Sequence, residues 1–295
     1  MIAAIIRLLR PAQWLKNLLI FVPVIVSHRW QLNDLANCVL AFISFSLTAS
    51  SLYIFNDLSD LDSDRKLASK AKRPLVTGEI SIPEAIGLSI ILLIISTWAS
   101  LKLGKPFATV ISVYILVTMF YTLWLKKVLI LDILILATLL TVRVFAGAAV
   151  TGIIVSDWLL AFALFVFLSL ATLKRASELI ESQKSNLVEI PGRKYQLKDQ
   201  QALTAMGFAS AFASALILAL YINSPDVKSL YSNPERLWLL VPIFIYWLCN
   251  LWFEGLRGKV DSDPVTYAAK QKNSYIVLIL IAAVILYSMG IHWES

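Results

Sequence analysis

Apolar stretches long enough to cross a bilayer recur from one end of this chain to the other, and that repetition constrains the fold more than any motif does. A helix needs about 20 residues to cross roughly 30 Å of hydrocarbon. With no water to bond in the membrane core, backbone groups must be satisfied within each segment, so spans are helices or closed barrels. Runs such as 86–99 and 276–288 are apolar on every face and lack the period-two alternation of barrel strands, so helices follow. Charged residues make up 15% of the 295, against about 25% in a soluble domain. The mean hydropathy is +0.76.

The sequence predicts nine spans, at roughly 17–33, 36–55, 82–101, 106–125, 129–150, 157–173, 202–222, 236–254 and 274–292. With the N-terminus placed in the cytoplasm, 20 Lys and Arg fall in inside segments and 5 in outside segments or at outer span ends, and Arg143 alone lies deep within a span. That asymmetry is the expected orientation signal for the inner membrane. It also accounts for the net charge of +7 without a nucleic-acid partner. Pro11, Lys16 and Asn17 interrupt the first apolar run and no small-residue cleavage site follows, unlike a removable signal peptide. No linker or soluble segment stands out, so one all-α transmembrane domain over 1–295 is expected. Cys38 and Cys249 fall in apolar segments and His28 and His292 are the only histidines, which leaves little for zinc or histidine chemistry. No heptad or GxxxG pattern decides an oligomeric state.

Most of the polar residues fall in three inside loops, 56–81, 174–201 and 255–273. The first opens with Asn56-Asp57-Leu58-Ser59-Asp60-Leu61-Asp62-Ser63-Asp64-Arg65. At about 100° per residue on a helix, Asn56, Asp57, Asp60 and Asp64 fall within one arc of roughly 100°, while Asp62 points away. Carboxylates so aligned repel one another unless a cation lies between them. Hard oxygen donors suit Mg²⁺, which keeps waters and binds substrate phosphates as well. Arg65, Lys66, Lys70, Lys72 and Arg73 follow at once, as a site for a metal diphosphate requires. A merely solvated helix end would not need four aligned oxygen donors. Topology alone explains Lys66 and Lys70 taken singly, and also Lys126 and Lys127.

The motif NDxxDxxxD at 56–64, at the cytoplasmic end of the second of nine spans, resembles the first Asp-rich motif of the UbiA prenyltransferase superfamily. The length and span count agree with that resemblance over the whole chain. Typical members carry a second Asp-rich motif after the sixth helix, for another metal. Here Lys174-Arg175-Ala176-Ser177-Glu178-Leu179 stands in that place. Lys174, Arg175 and Glu178 can share a helix face, either as a salt bridge or as a phosphate clamp in which cations partly replace a metal.

Arg10-Pro11-Ala12-Gln13-Trp14-Leu15-Lys16-Asn17 reads as a membrane-entry helix, with Trp14 at the interface. Lys16 and Asn17 then stand where an anionic lipid headgroup would lie. This RPxQWxKN start, the KRxxEL segment and Arg143-Val144-Phe145-Ala146-Gly147 together resemble one branch of the superfamily, the decaprenyl-phosphate phosphoribosyltransferases. Here the second of these reads KRASEL, without the Tyr common in that branch. Val260-Asp261-Ser262-Asp263-Pro264-Val265 resembles a late acidic loop of relatives. A charge within a span costs about 2.5–3.5 kcal/mol, so Arg143 should face the bundle interior, as an ion pair or lining a substrate cavity.

The resemblance implies a Mg²⁺-dependent glycosyl transfer from phosphoribosyl diphosphate to a polyprenyl phosphate. Asn56, Asp57, Asp60 and Asp64 would hold the metal, with the three aspartates catalytic. Arg65, Lys72, Arg73, Lys174 and Arg175, with Glu178, would hold the donor. Arg10, Lys16, Asn17 and Arg143 are the remaining candidate substrate contacts. The alternative is prenyl transfer to an aromatic acceptor such as 4-hydroxybenzoate, with Tyr53, Phe55, Tyr114, Phe120 and Tyr121 shielding an allylic cation. A transporter would place ionisable residues along a midplane path, and only Arg143 is that deep.

Overall fold

The computed structural model describes residues 2–66, 70–260 and 263–289. Among these the chain is helical, and its one β feature is an isolated antiparallel bridge, Glu189 with Gln196. The helices are α1 (Ile2–Leu9), α2 (Val22–Val26), α3 (Leu32–Ser59), α4 (Leu61–Asp64), α5 (Pro74–Thr77), α6 (Ile82–Lys102), α7 (Lys105–Leu123) and α8 (Leu131–Thr151). They continue with α9 (Asp157–Lys184), α10 (Gln200–Ile222), α11 (Pro225–Leu230), α12 (Leu240–Leu256), α13 (Pro264–Ala268) and α14 (Lys272–Ser288). A 3₁₀ segment, Pro11–Phe21, links α1 to α2.

Among the described residues, seven helices are long and apolar enough to cross a membrane, making this a multi-pass integral membrane protein. The pair Ile2–Leu9 and Pro11–Val26, bent by 40°, makes an eighth span if counted as one. α14 is apolar and 17 residues long. The first two boundaries differ from the sequence expectation. The helical run ends at Val26 rather than near 33, and the next helix starts at Leu32 and runs unbroken to Ser59. An apolar window cannot register the non-helical 27–31, because its composition is close to that of the flanks.

The chain divides into two compact units, Met1–Val155 with Glu178–Leu197, and Ser156–Ser177 with Lys198–Ser295. In the first, α3 is the axis and packs along α6. Its buried face is rich in Ser and Thr, whose small hydroxyls let helices approach closely and bond across the contact. Ser44 Oγ donates to Ser96 O at 3.0 Å and Ser51 Oγ to Ser89 O at 2.8 Å. α6 itself starts on a reciprocal cap between Ser81 and Glu84. Its far face leaves Ile90, Ile91, Ile94 and Trp98 exposed, as a lipid-facing helix does.

Gly147 of α8 lets the 3₁₀ segment close in, since a Cβ there would stand 2.0 Å from Ile20 O. The apolar core of this unit gathers Ile20, Val24, Phe45, Phe107, Ile111 and Leu139. In the second unit, Trp252 is fully buried over Gly207 and donates to Ser169 Oγ at 2.9 Å.

Candidate metal-diphosphate site

The acidic residues sit where α3 runs into α4. The turn at Asp60 keeps helical bonding on both sides, with Asp60 N to Asn56 O at 2.9 Å and Asp64 N to Asp60 O at 2.8 Å. The stripe therefore retains one face through the break. Asp57, Asp60 and Asp64 are all buried, whereas Asp62 is exposed and meets only exposed Arg65, at 3.2 Å. Asn56 Nδ2 donates to Asp60 Oδ2 at 3.2 Å, and Thr122 Oγ1 donates to Asn56 Oδ1 at 3.5 Å.

Cations reach this stripe from three other segments. Arg10 pairs with Asp57 and lies 5.5 Å from the Tyr53 ring. Its backbone is left-handed, φ 54°, a conformation uncommon for a residue other than glycine; the following Pro11 disfavours the right-handed helical alternative. That turn breaks α1 from the 3₁₀ segment. Arg73 Nη1 lies 2.9 Å from Asp57 Oδ1 and also pairs with Asp64. Lys70 Nζ stands 3.2 Å from Asp64 Oδ1. Lys126, between α7 and α8, is buried and pairs with Asp60.

Burial works to raise the Asp60 pKa, but Lys126, Arg193 and Lys70 outweigh it and hold the carboxyl below its ordinary range. Burial lowers Lys126 below the ordinary lysine value, with Asp60 opposing. The carboxylate is thus ionised, beside an ammonium that releases its proton more easily than a solvated lysine.

The chemistry of the donors suits a hard divalent cation, although among the described residues no three acidic side chains are gathered closely enough to hold one, the carboxylates being paired with cations instead. All four candidate ligands offer oxygen, and Asp64 Oδ1 is buried yet accepts no hydrogen bond. Lys70 meets that oxygen as a charge only, without hydrogen-bond geometry. A buried acceptor without a donor loses about 1–3 kcal/mol, which a metal ion would restore.

The other sequence candidates are placed as follows. Lys72 is exposed. Lys16 and Asn17 are buried, and both groups of the Asn17 amide are engaged. Its Nδ2 donates to Ser46 Oγ at 2.9 Å and its Oδ1 accepts from Arg143 Nε at 2.8 Å. Arg143 also donates to Leu139 O and to Tyr114 OH, the latter at 3.3 Å, and lies 5.1 Å from the Phe45 ring. It faces the bundle interior and ties α8 to α7 and to the 3₁₀ segment. Lys174 and Arg175 lie on the part of α9 in the second unit, Glu178 on the part in the first; Arg175 is fully buried, and Lys174 and Glu178 half-buried. Asp263 caps α13 by accepting from Thr266 N at 3.1 Å, and Asp261 lies outside the described residues.

Sequence reasoning left Lys126, and Lys70 taken singly, to topology and did not single out Arg193, whereas the structure pairs Lys126 with Asp60 and brings Lys70 to Asp64. Each stands among charges that topology already explains, and only long-range geometry separates the two uses.

These features define a multi-pass membrane protein, helical over the described residues, with a buried carboxylate stripe met by cations. The chain belongs to the UbiA prenyltransferase family, whose model matches residues 18–253. It is similar to nodulation protein NoeC of Azorhizobium caulinodans, 28% identical over 97% of this chain and 93% of that one. It is also similar to the decaprenyl-phosphate phosphoribosyltransferase of Mycolicibacterium smegmatis, 34% identical over 61% of this chain and 58% of that one. The chain spans little more than half the length of several curated relatives, including 55% of uncharacterized protein y4nM of Sinorhizobium fredii. Among solved structures, a UbiA homolog from Archaeoglobus fulgidus bound to DMAPP and Mg²⁺ matches with a TM-score of 0.70 at 19% identity, over 97% of this chain and 99% of that one.

Proposed function

We propose that the whole chain, as one transmembrane catalytic domain, transfers 5-phosphoribose from phosphoribosyl diphosphate to a polyprenyl phosphate at the cytoplasmic face of the inner membrane. The observation that carries this reading is the buried carboxylate stripe met by Arg10, Lys70, Arg73 and Lys126. Similarity to the phosphoribosyltransferases and the lack of a second Asp-rich motif favour this donor.

Asp57, Asp60 and Asp64, with Asn56, would hold Mg²⁺, which neutralises charge on the departing diphosphate. Arg10, Arg73 and Lys126, paired with the carboxylates here, would turn part of their hydrogen bonding to phosphate oxygens once the donor is bound. Exposed Lys72 and Arg65 would attract the polyanion at the entrance. The C1–O bond breaks with its electron pair leaving on the diphosphate, C1 gains oxocarbenium character, and a lipid phosphate oxygen forms the new bond. That oxygen is already anionic near pH 7, so no residue need act as a strong base. Lys16, and Arg175 with Lys174 and Glu178, remain candidates for the lipid phosphate and the 5-phosphate. Asn17 and Arg143 would brace the wall of the cavity.

The test incubates purified protein with phosphoribosyl diphosphate, polyprenyl phosphate and Mg²⁺, with lipid-linked phosphoribose read by mass spectrometry. A parallel tube holds a polyprenyl diphosphate and 4-hydroxybenzoate. Product in the first tube only, lost with EDTA, supports the proposal. Product in the second only replaces it with aromatic prenylation.

A pH profile tests Lys126. As pH rises through its lowered pKa, the ammonium loses its charge and phosphate attraction fails. The kcat/KM, which reports the free protein, should therefore decline on the alkaline side at lower pH than an ordinary lysine titrates, and Lys126→Arg should remove that decline. A wild-type profile that stays flat into the ordinary lysine range counts against Lys126 as a donor contact.

A further inference from the structure

The segment after α9 folds back as a small hairpin. Glu189 and Gln196 bridge, Ile190 N donates to Tyr195 O at 3.0 Å, and Leu197 N to Val188 O at 3.1 Å. Ile190 and Tyr195 are almost fully buried, so the hairpin is anchored on its own apolar side chains. Two contacts fix where it lands. Gly192, with φ 75°, lies so close to Ser63 that an added Cβ would come within 2.9 Å of its Oγ, one residue from Asp64. Tyr195 OH accepts from Ile130 N at 3.1 Å, in the connection that carries Lys126.

At the tip, Arg193 is carried beside the acidic stripe. Its side chain is only 10% exposed, and its Nε is buried with no hydrogen-bond acceptor. The nearest carboxylate, Asp132, lies 3.7 Å away, beyond hydrogen-bond reach, and already accepts from Tyr121 OH at 2.8 Å. Nη1 reaches only the neighbouring Gly192 O, at 3.2 Å. Arg193 thus adds a second buried cation on the side of Lys126, with a donor unspent. Around the stripe, Arg10, Lys70, Arg73, Lys126 and Arg193 face Asp57, Asp60, Asp64 and Asp132. Two like charges placed together underground, one holding back a hydrogen bond, form a site made for an arriving anion.

We propose that Arg193 is a donor-binding residue, delivered by the 188–197 hairpin to bond a phosphate oxygen of the substrate held at the carboxylate stripe. The inference rests on reading the stripe as a diphosphate site, and not on which group the diphosphate activates.

The experiment titrates full-length protein in detergent with inorganic pyrophosphate and, separately, ribose 5-phosphate, each with Mg²⁺, by calorimetry. Pyrophosphate is common to phosphoribosyl and prenyl donors, so its arm does not depend on the donor's identity. Arg193→Gln should weaken pyrophosphate at least about tenfold, the ordinary weight of a charged hydrogen bond, and Arg193→Lys should recover part of that loss. Loss confined to ribose 5-phosphate would also support Arg193, as the ligand of the more distant phosphate. Unchanged affinity for both probes overturns the proposal. So does an equal loss in both variants with a matching fall in melting temperature, which marks a structural brace. A wild-type protein that binds no pyrophosphate overturns this inference and the diphosphate reading together, whereas failure of the Arg193 variants alone leaves that reading standing.

Discussion

Replacing Asp57 by Asn should lower turnover at least about a hundredfold while the protein still extracts and purifies as the wild type does. The substitution keeps the shape of the side chain and removes its charge. A metal ion's stabilisation of leaving-group charge is worth several kcal/mol, and each 1.36 kcal/mol is tenfold in rate. Asp57 also receives Arg10 and Arg73, so neutralising it takes the carboxylate partner from half-buried Arg10 and leaves half-buried Arg73 with Asp64 alone, and donor binding should change as well. The internal control is Asp62→Asn. Asp62 sits in the same motif but is exposed and faces away from the stripe, touching only Arg65. Initial rates by mass spectrometry should show Asp62→Asn within about twofold of wild type, since an exposed ion pair contributes about 1 kcal/mol or less. Equal rates for the two variants would sink the assignment of the stripe as the reaction centre.

The second large effect falls on stability. Gly147→Ala places a methyl 2.0 Å from Ile20 O and 3.1 Å from Pro23 Cδ, so backbone must move, not a flexible side chain. A forced backbone shift of that kind costs on the order of 3 kcal/mol. In a chain of this size that lowers the melting temperature by roughly 5–10 °C. Gly87, in α6, has nothing within 4 Å of the position its Cβ would take. Gly87→Ala should therefore be neutral or slightly stabilising, since alanine favours helix. Thermal unfolding in one detergent compares the two. A Gly147→Ala protein that melts within about 2 °C of wild type would mean that α8 and the 3₁₀ segment are not packed as described.

Much of this was legible in the sequence because two periodicities carry it. Apolar length located α6, α7, α8, α10 and α12 to within a few residues. The helical period placed Asn56, Asp57, Asp60 and Asp64 on one face and Asp62 off it, and the structure has that arrangement despite the turn at Asp60. What stayed hidden has a physical cause. Lys126 and Arg193 fall in loops where positive charge is already expected as an orientation signal, and a lysine that sets orientation looks the same in sequence as one that reaches Asp60 across 66 residues. The left-handed Arg10 was equally hidden, since an X-Pro step marks a probable break but not where the side chain goes. Asn17 was legible as polar, but not as a brace with both ends of its amide taken.

α3 has a consequence for how a site like this can change. Ser44 and Ser51 lock its rotation against α6, while Ser46 and Ser50 lock it against the N-terminal segment through Asn17, Trp14 and Leu9 O. The acids at its end inherit that setting, and a single inserted residue between Ser51 and Asn56 would swing them about 100° away. The carboxylates are thus bolted to a rod that tolerates no slip. Arg73, Lys126 and Arg193 arrive instead on three separate connections, each of which can be lengthened or exchanged without disturbing the rod. If the stripe holds a diphosphate as proposed, the leaving-group chemistry would be inherited with the rod, and the choice of what to transfer would be rewritten in the loops.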